Sequence, residues 1–125
     1  YYPLDDATSP NGGWVGLSEI VSLGRGRFAV IERDNQGNTD AEVKRLYTFS
    51  VAGLEPQPEG GAFPVVAQTL ARDILPDLQA LNGSVLEKIE GLTVLPDGTA
   101  LIVNDNDGVD DSNGETQLLR IPGVF

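Results

Sequence analysis

The chain has 125 residues, 40% of them apolar and 22% charged, a composition that fits a globular domain with one modest core and argues against wholesale disorder. Eight Lys and Arg against nineteen Asp and Glu leave a net charge of −11, which repels nucleic acid and anionic membrane and favours cations or cationic partners. With no His and no Cys, the chain cannot hold a Ser-His-Asp triad, a Cys nucleophile, or a thiolate or imidazole metal site.

Any metal must therefore be bound by oxygen. Ligation by Asp, Glu, Asn and backbone carbonyls suits a hard cation, Ca²⁺ more readily than Mg²⁺, because Ca²⁺ tolerates irregular, ligand-rich geometry. No apolar run reaches the length of a membrane span, and no Lys/Arg-headed apolar segment opens the chain as a secretory signal would. The absence of Met, with Tyr1 first, predicts a processed chain or a piece of a longer one.

From Gly16 the text GLSEIVSLGRGRFAVIERDNQGN predicts an apolar strand, a Gly-Arg-Gly turn, a second strand from Arg27 to Ile31, and a polar loop. KRLYTFSV, 44–51, predicts a third strand with Tyr47, Phe49 and Val51 on one face. The Pro/Gly-rich stretch 53–64 reads as a loop and PVVAQTLA, 64–71, as a fourth strand. Within 70–83, Leu70, Ile74, Leu78 and Leu81 recur at helical spacing, and a short helix is expected to follow the fourth strand with Pro76 in its first turn.

The order of parts then repeats. KIEGLTVLPDGTALIVNDNDG, from Lys88, is again strand, turn, strand and polar loop, with Leu-Pro-Asp-Gly at 95–98 as the turn, and TQLLRI, 116–121, is the following strand. Leu23 and Leu95 lie 72 residues apart, and Asp34 and Asp105 lie 71 apart. Units of about 14–71 and 88–121, with an insertion at 53–87, predict an all-β chain of four-stranded antiparallel meanders, the mark of β-propeller blades. Since propellers close with about four to eight blades, fewer than two blades predict the C-terminal portion of a larger propeller, completed by the rest of the protein. The alternative is a free-standing β sandwich of two meanders.

The candidate chemistry lies at the strand ends. Alternation places Glu32 and Asp34 on one side with Arg33 opposite, and Lys88 and Glu90 together at the start of the second unit. Residues 104–117, NDNDGVDDSNGETQ, carry five carboxylates and no Lys or Arg, a density that raises carboxylate pKa values unless the stretch is solvated or a cation sits in it. The candidate Ca²⁺ ligands are Glu32, Asp34, Asn35, Glu90, Asp105, Asn106, Asp107, Asp110 and Asp111. Each taken singly is also ordinary turn chemistry. The loop is no EF-hand: with Gly108 at the invariant glycine, Val103 falls at the first position and Gly114 at the twelfth.

Neither Ser18 nor Ser84 sits in a G-x-S-x-G elbow. Metal-assisted hydrolysis stays open, with Glu32, Lys88 and Glu90 as candidate catalytic groups and Arg33, Lys44, Arg45 and Lys88 as candidate phosphate partners. Surface ion pairing is the competing role for each cation.

The text from Gly12 to Ile121 resembles the C-terminal region of the bacterial phytase-like proteins, described by the esterase-like activity of phytase. The resemblance is most specific in Glu-Arg-Asp-Asn at 32–35, Glu-Gly at 90–91 and Asp-Asn-Asp-Gly-Val-Asp-Asp-Ser at 105–112. It implies a β-propeller, an extracellular or periplasmic location, and Ca²⁺-dependent hydrolysis of a small phosphoester or ester, with these stretches near the propeller axis or its loops. The rival expectation is a non-catalytic, calcium-stabilised propeller that binds a partner or polymer at the cell surface.

Overall fold

A computed structural model describes residues 1–80, 84–106, 108 and 115–125. Its first sheet is a four-stranded antiparallel meander: β1 (Val15–Gly24), β2 (Arg27–Asp34), β3 (Lys44–Ser50) and β4 (Thr69–Asp73), in that spatial order. The second contains β5 (Ile89–Val94), β6 (Ala100–Asn104) and β7 (Leu118–Ile121), also antiparallel.

Local sequence explains the hairpins. Gly24 pairs with Arg27, so Arg25 and Gly26 alone make the β1–β2 turn, with φ of 53° and 74°. Positive φ at both positions is the mirror-image turn whose twist matches a hairpin. Between β5 and β6, Pro96 and Gly98 form the expected turn, closed by Gly98 N–H donating to the Leu95 carbonyl at 2.9 Å.

β2 runs to Asp34, three residues beyond the predicted end at Ile31. Polar side chains do not stop a strand whose backbone is paired on both sides: Glu32 faces Leu17 and Arg45, and Arg33 faces Gly16 and Lys44. The insertion departs further from expectation. β4 starts at Thr69 rather than 64, while the short helix expected after it is present as α1, Leu75–Gln79. The strand runs on to Asp73, two residues beyond the expected end at 71, because the free edge of β3 offers these residues hydrogen bonds. Pro76 sits in the first helical turn as expected, where its missing N–H costs nothing. Leu81 lies outside the described residues.

The two sheets share one core. Ile31 and Leu46 of the first meet Ile89, Ile102 and Ile121 of the second, with Ile74 and Leu78 beneath. Ser18 Oγ in β1 donates to the Ile89 carbonyl at 2.7 Å, fixing the two sheets edge to edge as well. The architecture is thus all-β, with one four-stranded and one three-stranded antiparallel sheet and a short helix; the described strands do not close into a ring. The outward faces keep large apolar side chains in solvent: Ile20 is 55%, Leu70 50% and Leu118 69% exposed.

Candidate functional site

Strand direction brings the predicted polar loops to one rim. The ends of β2 and β6 and the starts of β1, β3, β5 and β7 lie at the same edge of their sheets, since Val15 pairs with Asp34, Arg33 with Lys44, Ile89 with Asn104 and Val103 with Leu118. Arg33 ties the two units together there, with Nη1 at 3.3 Å from Glu87 Oε1 and Nη2 on Glu90 Oε1. Its guanidinium carbon also lies 5.2 Å from the centre of the Trp14 ring, a cation–π distance.

Within the rim the predicted residues separate by role. Asp34 is buried, and its Oδ2 accepts the backbone N–H groups of Glu42 and Val43 at 2.7 and 2.9 Å while Oδ1 accepts Lys44 Nζ at 2.8 Å. Lys44, fully buried, also donates to the carbonyls of Asp34, Gln36 and Glu87. Burial pushes its pKa down, and Asp34 partly offsets this. Asn35 is equally committed: its Oδ1 accepts Trp14 N–H at 2.8 Å and its own N–H donates to the Trp14 carbonyl at 3.1 Å. These three side chains build the rim and offer little to a ligand.

Glu32 does not share Asp34's surroundings. Its Oε1 accepts Asp5 N–H at 2.6 Å, and Oε2 is buried without a hydrogen-bond partner among the described residues. Asp5, missed by sequence reasoning, accepts Tyr47 Oη at 2.6 Å and Gln68 Nε2 at 3.3 Å, and pairs with Arg45. Burial raises the pKa of Glu32. For Asp5 burial acts in the same direction, but the donors Tyr47, Arg45 and Gln68 outweigh it and hold the pKa below the aspartate range. Burial and Glu32 together raise the Tyr2 phenol. No local motif marks this cluster, because Asp5 and Arg45 are far apart in sequence.

The residues left facing solvent at the rim are Glu90, Asp105 and Asn106, of which Glu90 is held by Arg33. Lys88 is beside them, its carbonyl accepting Asp105 N–H at 2.8 Å. The acidic loop is closed at its base by Asn104, which sequence reasoning also passed over. Asn104 Oδ1 accepts Gln117 N–H at 2.6 Å and Nδ2 donates to the Glu115 carbonyl at 3.0 Å, so one side chain clamps the loop's two ends. Asp107, Asp110 and Asp111 lie outside the described residues. Among the described residues no three acidic side chains converge on one point.

A model of the phytase-like family, described as esterase-like activity of phytase, matches residues 1–108, most of the chain. The chain belongs to the phytase-like family. No curated protein and no solved structure is similar enough to count as a match. The phytase-like match includes both units of the rim, from Trp14 through Asp105 and Asn106. Among the described residues, no helix of this phytase-like chain is long and apolar enough to cross a membrane.

Proposed function

We propose that the chain is part of an extracytoplasmic β-propeller that hydrolyses small phosphoesters or esters with the help of Ca²⁺. The observation that carries this reading is the single rim onto which both phytase-like units deliver their polar loops, joined by Arg33 between Glu87 and Glu90. The exposed apolar faces, with Ile20 and Leu70 on one sheet and Leu118 on the other, are what blades present to neighbours on either side.

The ligand set for Ca²⁺ narrows to Glu90, Asp105 and Asn106 with the acidic residues of 107–111, since Glu32, Asp34 and Asn35 serve other partners. The donor types fit a hard cation, being carboxylate and amide oxygens, and Asn104 ties the two ends of the loop that carries them. A bound Ca²⁺ would polarise a phosphoryl or carbonyl oxygen. Lys88 stands at the same rim to receive the charge of a phosphate, and Glu90, exchanging its partner Arg33 for a water, would take that water's proton.

A second reading, a non-catalytic calcium-stabilised binding module, is favoured by the pairing of Arg33, Lys44, Arg45, Arg72 and Arg120 with carboxylates. The test is calorimetric Ca²⁺ titration of the chain with melts in chelator, followed by assays of p-nitrophenyl phosphate and p-nitrophenyl acetate. Specific binding raises the melting temperature by mass action. Calcium-dependent turnover that falls in Glu90→Gln supports the hydrolase; binding without turnover of either ester moves the second reading ahead.

A further inference from the structure

The two polar loops of the rim are closed by the same device. Asp34 ends β2 opposite Val15, the first residue of β1, and Asn104 ends β6 opposite Ile89, the first residue of β5. The next N–H in each unit, on Asn35 and on Asp105, donates to the carbonyl just before that first strand, on Trp14 and on Lys88. The ladders thus make Asn104 rather than Asp105 the counterpart of Asp34, and Gln117 the counterpart of Val43. Asp34 N–H donates to the Val43 carbonyl at 2.9 Å while Asp34 Oδ2 accepts Val43 N–H at 2.9 Å. Asn104 N–H donates to the Gln117 carbonyl at 3.4 Å while Asn104 Oδ1 accepts Gln117 N–H at 2.6 Å.

The two clamps differ in charge. Asp34 is paired with Lys44, the residue after Val43, at 2.8 Å. The corresponding residue of the second unit is Leu118, which is exposed. There the clamp is a neutral amide that works from both ends, since Nδ2 donates to the carbonyls of Glu115 at 3.0 Å and Asp105 at 3.2 Å. Asn104 is buried, and a charge at its place would need a cation beside it. The first loop, 35–43, contains only Asp40 and Glu42 as carboxylates. The second, 105–116, contains five and no Lys or Arg.

We propose that Asn104 is the positioning residue of the calcium loop. Its neutral amide sets the loop's two ends before Ca²⁺ arrives, and the positive charge that Lys44 supplies within the first unit comes to the second from the bound ion. The inference rests on the calcium reading above and adds to it a side chain whose amide is committed to the loop's own backbone. Groups that orient the residues around a metal are worth about 10–100-fold in its affinity.

Asn104→Asp separates clamp from charge, because it keeps the shape of the side chain and adds a carboxylate. If ligand charge alone governed affinity, the variant would bind Ca²⁺ more tightly. With the clamp in control, affinity falls by about 10–100-fold, since oxygen instead of N–H then faces the carbonyls of Glu115 and Asp105. Calorimetric Ca²⁺ titrations of the parent and variant chains read the difference. Equal or tighter binding by the variant overturns the proposal and leaves the calcium reading standing, whereas a parent chain that binds no Ca²⁺ overturns both. A second measurement needs no variant. Gln117 N–H precedes β7, and its acceptor is Asn104 Oδ1, so in chelator its hydrogen exchange, followed by NMR, should be slower than in an unstructured peptide of the same sequence. Exchange at the peptide's rate shows that the ends are not set before Ca²⁺ arrives, and it overturns the proposal even where Asn104→Asp does not fold.

Discussion

Lys44 and Asp34 form an ion pair with no access to solvent, Nζ to Oδ1 2.8 Å, where β2 and β3 separate at the rim. Removing one partner strands the other's charge in the interior, which costs far more than the pair contributes over an apolar replacement. Lys44→Met should therefore destabilise the chain by about 3–5 kcal/mol. Adding Asp34→Asn should recover part of the loss, since the stranded charge is then gone. Urea titrations of the single and double variants measure both, and equal stabilities would show that the charges are not coupled.

Glu32 gives the chain an unusual pH response. Its folded pKa is raised by burial, so in the folded state the proton is held more tightly than in the unfolded chain. Stability from this group is complete below the ordinary value of 4.5 and declines as pH rises through the raised one. Glu32→Gln keeps an acceptor for the Asp5 N–H and has no charge to bury. The variant should gain on the parent between those two pKa values and hold a constant advantage above them, read from melting temperatures across roughly pH 4 to 8.

Asp5 acts with the opposite sign. Its pKa is lowered in the folded state, so its contribution is present above the ordinary value of 3.8 and is lost as pH falls toward the lowered one. Asp5→Asn, which removes the charge facing Arg45 and Tyr47, should cost about 1 kcal/mol at neutral pH. The deficit should close in acid, where the parent's carboxyl is itself protonated. A deficit that persists unchanged to low pH would point to packing rather than charge.

Gly91 tests the register of the second sheet. It sits at an irregularity between Ile89 and Gly91 in the β5–β6 ladder, and a Cβ there would collide with Val103 Cγ1. Gly91→Ala should lose about 1–3 kcal/mol, as overpacking does. Val103→Ala in the same chain should relieve the collision and return part of that loss, a coupling that a double-mutant cycle in urea detects.

Some of this structure is legible from local text. The β1–β2 hairpin follows from alternating apolar residues around Gly-Arg-Gly, and the β5–β6 hairpin from Leu-Pro-Asp-Gly, because turn conformation depends on the few residues in it. The correspondence of the two units follows from matching order. The bounds of the fourth strand are less legible, because pairing with the edge of β3 rather than local pattern sets β4 at Thr69–Asp73.

The sequence by itself determined an all-β chain of hairpin-built units with an oxygen-only ligand set, since composition and short-range patterning carry that information. Tertiary structure alone decided which charges meet. Asp34 and Asn35 became scaffold, Glu32 met the Asp5 backbone, Arg33 bridged Glu87 and Glu90, and Trp14 was fixed at the rim. The physical reason is range: a buried charge takes its partner from whatever strand the fold lays beside it, and those strands are distant in sequence.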